Sequence, residues 1–377
     1  MSKLNELIQQ YCPDEVEYRK LEDCCAVLDK KRKPVTKAAR EAGEYPYYGA
    51  NGIQDYVADY IFDGTFVLVG EDGSVITKAG TPVVTWAEGK IWVNNHAHII
   101  EETDGVLLRY LFHYIQTIDV TPLIHGNIPK LTGGDFRALQ IPVPPLPVQS
   151  EIVRILDNFT ELTAELTAEL TARKKQYEFY RDKLLTFGDV RGGATSDVAW
   201  RTLGEVCNLQ SGKAISAHLI SDTQTVENPI PCYGANGLRG YVSTFNESGD
   251  KPIVGRQGAL CGNVCFATGS YYATEHAVVV TDKGFFNSRF LYHLLVNADL
   301  NQYKTAGAQP GLSVTRLNKV KVPVPARTVQ DRIANVLDNF DAICSDLKIG
   351  LPAEIEARQK QYEYYRDKLL TFKETKA

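Results

Sequence analysis

The chain has 377 residues and a formal net charge of −5, and 44% of its residues are hydrophobic. This composition excludes a globally disordered chain, and the length predicts two to four domains. The acidic balance argues against a protein that binds nucleic acid unaided, although it allows local basic patches or a partner that supplies the phosphate contacts.

The N-terminal segment, residues 1–15, is predicted to form a short polar helix that ends near Pro13. No signal-peptide-like apolar region is present, and no apolar run approaches about 18 residues, so we expect a soluble cytoplasmic protein. The eight cysteines include no Cys-x-x-Cys pair. Free buried thiols are therefore favoured over a zinc site.

The first globular region is predicted to span residues 16–147. Short apolar runs such as Phe66–Val69 and Val83–Trp86 are bounded by Gly, Asp or Pro, as strands are. A helix is predicted at about 105–117. The region ends in the proline-rich stretch 141–147, which we expect to be extended and stiff.

A long central helix is predicted over residues 148–187, because neither Gly nor Pro occurs from Ser150 to Phe187. Ser150 is the predicted N-cap, with Glu151 in the first turn. Apolar residues recur at alternating steps of three and four, a heptad pattern. The tandem unit Thr-Ala-Glu-Leu at 163–166 and 167–170 interrupts this pattern as a four-residue stutter that lengthens the helix by about one turn.

The second half of the chain repeats this order. A flexible linker is predicted at 188–197, a second globular region at 198–328, and a C-terminal helix at 329–377. Gly350 and Pro352 are expected to kink or split this last helix.

The sequence QYEFYRDKLLTF at 176–187 returns as QYEYYRDKLLTF at 361–372, with eleven of twelve positions identical. Tyr48–Gly52 likewise returns as Tyr233–Gly237. This tandem duplication predicts an α+β fold with pseudo-twofold symmetry. Two mixed α/β domains would be separated by two long helices that pack as an antiparallel coiled coil, an arrangement suited to a twofold partner such as duplex DNA.

Motifs for catalysis are missing from the sequence. No phosphate-binding G-x-x-x-x-G-K-[ST] loop, H-E-x-x-H or G-x-S-x-G motif occurs, and Asn228–Pro231 lacks the Pro-Pro-aromatic part of a methyltransferase tetrad. We therefore expect a chain that does not catalyse a reaction by itself.

Three Gly- and Asn-rich motifs recur in both globular regions. Their ranges are 47–52, 69–74 and 94–98 in the first region, and 232–237, 254–259 and 274–277 in the second. Glycine-rich loops let the backbone approach a ligand, and Asn, Gln and Arg are side chains that read base edges. The alternative is that the Asn-Gly pairs are hairpin turns and that His96 and His276 are core histidines.

The repeated Q-Y-E-[FY]-Y-R-D-K-L-L-T-F block and the overall layout resemble the specificity (S) subunit of type I restriction–modification enzymes, within the subgroup that has TAEL-type repeats in the central helix. The resemblance covers essentially the whole chain. It implies that residues 16–147 and 198–328 are target-recognition domains and that residues 1–15 pack near the C-terminal region.

The resemblance further implies a non-catalytic, nucleoid-associated reader of a bipartite, asymmetric site in double-stranded DNA. Two methyltransferase (M) subunits and two motor-nuclease (R) subunits would join it. S-adenosylmethionine, ATP and Mg would belong to those subunits, so no cofactor or metal is expected on this chain. The two helices would set the spacing between the half-sites.

Candidate contact residues follow from the recurrent loops and the repeated block. The candidate DNA contacts are Asn51, Glu71, Asp72, Ser74, Asn95, His96, Lys130, Asn236, Arg256, Gln257, His276 and Arg316. The candidate M-subunit contacts are Tyr177, Tyr180, Arg181, Tyr362, Tyr365 and Arg366, although these tyrosines suit a coiled-coil core equally well. Two rival interpretations remain: a coiled-coil scaffold that joins two modules for a non-DNA ligand, and an orphan reader without partner subunits.

Overall fold

The computed structural model describes residues 3–13, 15–73, 75–125, 128–187, 198–258, 261–305 and 310–373. The predicted linker at 188–197 and the candidate contact Ser74 lie outside these described residues. The chain divides into two units, one comprising 1–166 and 355–377 and the other comprising 167–354. No helix in the described part of the chain is long and apolar enough to cross a membrane.

The first unit is built around a six-stranded sheet with the strand order β2-β7-β5-β6-β3-β4. β3 and β6 run parallel, pairing Tyr47 with Trp92, and the other neighbours are antiparallel. The strands are β1 (Tyr18–Lys20), β2 (Cys25–Val27), β3 (Ala42–Gly49), β4 (Gly52–Val57), β5 (Phe62–Gly70), β6 (Val84–Val93), β7 (Ala97–Glu102), β8 (Ile124–His125), β9 (Lys130–Leu131) and β10 (Gln140–Pro142). The helices are α1 (Lys3–Tyr11), α2 (Leu108–Ile115), α3 (Gly133–Arg137) and the long α4 (Leu146–Leu185), which continues into the second unit.

The second unit repeats the strand order of the first, but β5 and β6 are each divided in two and the β8–β9 pair has no counterpart among its described residues. The strands are β11 (Ala199–Thr202), β12 (Cys207–Ser211), β13 (Ile230–Gly234), β14 (Gly237–Val242), β15 (Glu247–Ser248), β16 (Lys251–Gly255), β17 (Val264–Ala267), β18 (Ser270–Ala273), β19 (Ala277–Asp282) and β20 (Lys321–Val324). The helices are α5 (Leu203–Val206), α6 (Ser288–Asn297), α7 (Val314–Leu317), α8 (Arg327–Ser345) and α9 (Leu351–Leu369). The continuous β6 corresponds to β17 and β18, which are separated at Gly269 (φ 66°), so this unit has two four-stranded sheets.

The central helix begins at Leu146, four residues before the predicted N-cap Ser150. Pro147 therefore lies in the first turn, where a missing N–H group costs no intrahelical hydrogen bond. The backbone N–H groups of Val148 and Gln149 donate to the Pro145 carbonyl at 2.9 and 3.2 Å, which starts the helix. The proline-rich stretch is thus shorter than the sequence suggested.

The predicted break in the C-terminal helix is confirmed. α8 ends at Ser345 and α9 begins at Leu351, so that Gly350 precedes the new helix and Pro352 lies in its first turn. Both residues disfavour an uninterrupted helix through this position.

The two copies of the repeated block pack into different cores. In the second unit, Leu185 and Phe187 of the first copy pack with Phe290 of α6 and Leu337 of α8. In the first unit, residues of the second copy pack with α1, α2 and the start of α4, among them Tyr362 and Leu370. Each copy therefore packs against a domain that its own half of the chain does not contain.

The N-terminal helix α1 is fixed beside the end of the chain. Leu4 is buried in the core that also contains Leu370, and the Val16 N–H group donates to the Lys373 carbonyl at 3.0 Å. The Tyr18 hydroxyl donates to the Phe372 carbonyl at 3.1 Å. Residues from the two termini thus complete one domain.

Candidate nucleic-acid interface

The three recurrent motifs of the first domain meet at one place. The Asn94 N–H group donates to the Tyr48 carbonyl at 3.0 Å, which joins the turn after β6 to the β3–β4 hairpin. The Glu71 N–H group donates to the His96 carbonyl at 2.8 Å, which joins the segment after β5 to the same turn. A Cβ atom on Gly70 would lie 3.0 Å from the Ala50 carbonyl oxygen, so glycine permits this close approach.

The second domain makes the same connections. Thr274 donates to the Tyr233 carbonyl at 2.9 Å, and Arg256 donates to the His276 carbonyl at 2.9 Å. Contact is tighter at Gly255, where a Cβ atom would lie 1.7 Å from the Ala235 carbonyl oxygen. The duplicated motifs therefore encode a duplicated backbone frame.

A fourth segment, which leads back towards the long helices, closes each frame. Leu131 donates to the Glu71 carbonyl at 2.8 Å, and Leu312 donates to the Arg256 carbonyl at 2.8 Å. We call the four segments the loop cluster of each domain: residues 48–52, 70–73, 94–97 and 129–132 in the first, and 233–237, 255–258, 274–277 and 310–313 in the second. Lys130 lies in the first cluster, whereas Arg316 lies in α7, just beyond the second.

The candidate side chains of the first cluster differ in availability. Asn51 and Asn95 are exposed. Asp72 and His96 contact each other through a carboxylate oxygen and Nδ1. Glu71 is largely covered, because one of its carboxylate oxygens lies 2.6 Å from Arg32 and the other 3.2 Å from Lys130.

A buried charge network lies beneath Glu71. His98 is fully buried, its Nδ1 lies 2.8 Å from Asp29, and its ring stacks on Phe136. Burial acts to raise the pKa of Asp29, but hydrogen bonding to His98 and the charges of His98 and Arg32 outweigh it and lower that pKa. Asp29, Glu71 and His98 have ligand atoms within 4.8 Å of one another, a spacing that a metal ion would fit.

The positive charge that such an ion would supply is already present. Arg32 lies 3.7 Å from Asp29 and 2.6 Å from Glu71, and Arg137 lies 3.5 Å from Asp29. The arrangement is therefore an ion-pair network that fixes Glu71 in place.

The second cluster leaves polar atoms unpaired. Arg256 Nη1 donates to Ser211 Oγ at 2.8 Å, but Arg256 Nε is buried and has no hydrogen-bond partner among the described residues. The same holds for His276 Nδ1 and Glu275 Oε2. Buried polar groups without partners are costly, so the second cluster is less completely hydrogen-bonded than the first. Asn236 and Gln257 are exposed beside them.

The equivalent positions 71 and 256 carry opposite charges on the same backbone frame. Glu71 accepts from Arg32, whereas Arg256 donates to Ser211. A guanidinium group can donate two parallel hydrogen bonds to guanine, and a carboxylate can accept one from cytosine. The two clusters therefore differ in charge at this position.

Comparisons with known proteins identify the family. The family model of the type I restriction modification DNA specificity domain matches residues 13–173 and again 195–357. The chain belongs to this family. A putative type I restriction enzyme specificity subunit of Haemophilus influenzae is 35% identical over 95% of this chain and 96% of that protein. The EcoprrI specificity subunit of Escherichia coli is 47% identical over 64% of this chain and 62% of that protein.

A solved structure agrees in fold. The S subunit of a type I restriction-modification system from M. genitalium superposes with a TM-score of 0.65, covering 94% of this chain and 96% of that chain at 18% sequence identity. The present chain is therefore a specificity subunit, a non-catalytic component of type I restriction–modification enzymes, and its α+β, duplicated fold is that of the family.

The tyrosines of the repeated block in this specificity subunit bind its own histidines. Tyr362 is buried, and its hydroxyl lies 3.0 Å from His113 Nδ1. Tyr177 lies 3.3 Å from His293 Nδ1 in the same arrangement. Arg366 and Arg181 lie over the rings of Tyr362 and Tyr177, respectively.

The next tyrosines along the block are more exposed. Within their own units, Tyr180 stacks on Phe340 and Tyr365 stacks on Phe159, with ring centroids 5.7 and 5.3 Å apart. The neighbouring Phe179 and Tyr364, which are not among the predicted contacts, are each 60% exposed. Both residues occupy the same position of the repeated block, so the repeat itself could have identified them as a pair of equivalent surface residues.

The structure adds information on two positively charged features, the predicted contact Arg316 and a basic run near the first loop cluster. Arg316 donates to the carbonyl oxygens of Tyr303 and Lys304 at 3.0 and 2.8 Å, so its guanidinium holds a loop. The basic run that begins at Lys30 was visible as a charge cluster, but only the structure places it beside the first loop cluster.

Proposed function

We propose that this specificity subunit reads a bipartite, asymmetric site in double-stranded DNA, with each loop cluster contacting one half-site in the major groove. The observation that carries the proposal is the duplicated frame, which presents Asn and His at equivalent positions in both domains and differs at the positions of Glu71 and Asp72, where the second domain has Arg256 and Gln257. The exposed amide side chains of Asn236 and Gln257 beside Arg256 support it, since amides can read base edges.

The length of α4 sets the spacing between the half-sites in this proposal. Two M subunits methylate adenine at the site that this subunit selects, and two R subunits join them for cleavage. S-adenosylmethionine, ATP and Mg are bound by those subunits and not by this chain. Because its substrate is DNA, the complex is located in the cytoplasm, at the nucleoid. The exposed faces around Tyr180, Tyr365 and their neighbours are the proposed M-subunit contacts.

Arg256→Ala and Lys130→Ala are expected to have different effects on binding. Loss of Arg256 should relax specificity at one base of the second half-site, at a cost of about 1–3 kcal/mol. Loss of Lys130 should weaken binding to all sequences by a similar factor, because a phosphate contact carries no base information. Equilibrium binding of the complex to a panel of single-base variant duplexes measures both effects.

Thermal unfolding of the two variants provides the control. If both substitutions lower only the unfolding temperature and leave the ranking of duplexes unchanged, Arg256 and Lys130 are structural residues and their assignment as DNA contacts is wrong.

A further inference from the structure

The stretch from Lys30 to Arg40, which we call the basic segment, concentrates positive charge in an acidic protein. It contains six Lys or Arg residues and no Asp or Glu, in a chain of net charge −5. The corresponding stretch of the second domain, residues 212–222, has Lys213 as its single Lys or Arg. Charge of this kind is more often a solvated face than a binding surface, so its position decides the interpretation.

The basic segment is fixed against the first loop cluster. Arg32 Nη1 donates to the Ala97 carbonyl at 2.6 Å and also contacts Glu71. The Lys33 N–H group donates to the Val93 carbonyl at 3.2 Å, and Trp92 Nε1 donates to the Lys33 carbonyl at 2.6 Å. These contacts hold the segment beside the turn that carries Asn95 and His96.

A surface groove separates the segment from that turn. Its volume is about 460 Å³, and it is lined by Thr36 and Arg40 on one side and by Asn95 and His96 on the other. A molecule bound in this groove would contact the loop cluster and the basic segment together, with Lys33 and Lys37 adjacent in sequence to the lining residues Pro34 and Thr36.

The lysines of the segment are exposed, and Lys33 Nζ lies 5.9 Å from the centroid of the Trp92 ring. Lys30, Lys31, Lys33 and Lys37 form no ion pair with an acidic side chain within the described residues. The nearby carboxylates are already engaged: Asp29 and Glu71 in the buried network, and Asp55 with Arg40 at 3.2 Å. Lysine ammonium groups in this state are available to bind phosphate and to release its counterions.

We infer that Lys30, Lys31, Lys33 and Lys37 bind backbone phosphates of the duplex whose bases the first loop cluster reads. This inference rests on the proposed function and adds a surface that makes the two domains unequal. The first domain supplies sequence-independent attraction through these lysines, whereas the second domain depends more on contacts from its own loop cluster and from partner subunits.

The test replaces all four lysines with Gln in the full chain, purified as the complex with its partner subunits. The matched control replaces the same four lysines with Arg, which keeps the charge. Binding is measured at several salt concentrations to a duplex with the methylated motif and to a scrambled duplex. The Gln variant should reduce the slope of log affinity against log salt by about three to four. It should weaken binding to both duplexes by the same factor and leave the methylated motif unchanged, while the Arg variant keeps the original slope.

An unchanged salt slope in the Gln variant would overturn the inference. If that variant also loses partner subunits during purification, the segment docks protein and not DNA. Failure of the proposed function has a different signature. In that case the wild-type complex binds both duplexes equally. If the salt slope of the Gln variant is nevertheless smaller than that of the wild type, the lysines still bind phosphate. A wild-type complex that binds neither duplex contradicts both.

Discussion

Deletion of Thr167–Leu170 is expected to change the spacing of the methylated motif by about one or two base pairs without changing either half-site. Four residues contribute about 6 Å of helix, whereas DNA rises about 3.4 Å per base pair. The helix should survive the deletion. Leu166 would then be followed by Arg173 and Tyr177 at steps of three and four, which restores the heptad pattern.

Methylation mapping in cells that carry the deletion measures the spacing. Duplication of the same four residues should move the spacing in the opposite direction, and the length-preserving substitution Glu165→Gln, at an exposed position, should leave it unchanged. A deletion variant that methylates the original motif with its original gap would contradict the proposal that α4 sets the spacing.

Asp157→Ala is expected to produce a large loss of stability in the first unit. The Asp157 carboxylate accepts from Arg109 Nε and from His113 Nε2, both at 2.8 Å, and so joins α2 to α4. Its removal leaves a fully buried imidazole and a half-buried guanidinium without their acceptor. A cost of about 2–4 kcal/mol follows from the loss of one partner of such a pair.

The second unit provides an internal repeat of this experiment. Asp338 accepts from Arg289 Nε at 2.8 Å and from His293 Nε2 at 2.7 Å, so Asp338→Ala should destabilise the second unit similarly. Asp182→Ala is the matched control, because Asp182 is exposed and pairs only with its neighbour Arg181 among the described residues. Hydrogen exchange followed separately in α2 and α6 reports each unit. Equal protection in Asp157→Ala and Asp182→Ala would contradict the structural role of Asp157.

The paired histidines also predict how stability depends on pH. Burial lowers the pKa of His113 and of His293, although the hydrogen bond to the neighbouring aspartate opposes this effect. At pH 7 both rings are therefore neutral, with Nε2–H donating to the aspartate and Nδ1 accepting from the tyrosine hydroxyl. The unfolded chain binds protons as the pH falls through about 6.5, whereas the folded chain does not. The full free energy of unfolding is therefore present above about pH 6.5, and it decreases as the pH falls towards the lowered pKa of the folded-state histidines.

The double variant His113→Gln and His293→Gln isolates this effect. Gln retains a donor for the aspartate but does not titrate, so the free energy of unfolding should change less between pH 6.5 and 5 than in the wild type. An identical pH dependence in the two proteins would mean that other groups cause the acid sensitivity.

The long-range architecture could be predicted from the sequence because it is encoded in repeats and in periodicity. The duplicated block indicated two similar halves, and Gly350 with Pro352 located the break between α8 and α9. The start of α4 was misplaced at Ser150, because a proline in the first helical turn has the same sequence appearance as one in an extended segment.

The detailed chemistry of the loop clusters was less accessible. Glycine and asparagine motifs indicated that the loops matter, but no local pattern indicates that Glu71 is held by Arg32 or that Arg256 keeps an unpaired Nε. The same applies to Tyr362 and His113, which are separated by 249 positions in the sequence. Such pairings depend on tertiary structure, which brings distant segments together.

The most direct test of the central claim is to map methylated adenines across the native genome with and without this gene. We expect one bipartite motif with a fixed gap to be methylated when the gene is present and to lose its methylation when the gene is deleted. An identical set of methylated adenines in the two genomes, with the M subunit shown to be expressed and active, would contradict it.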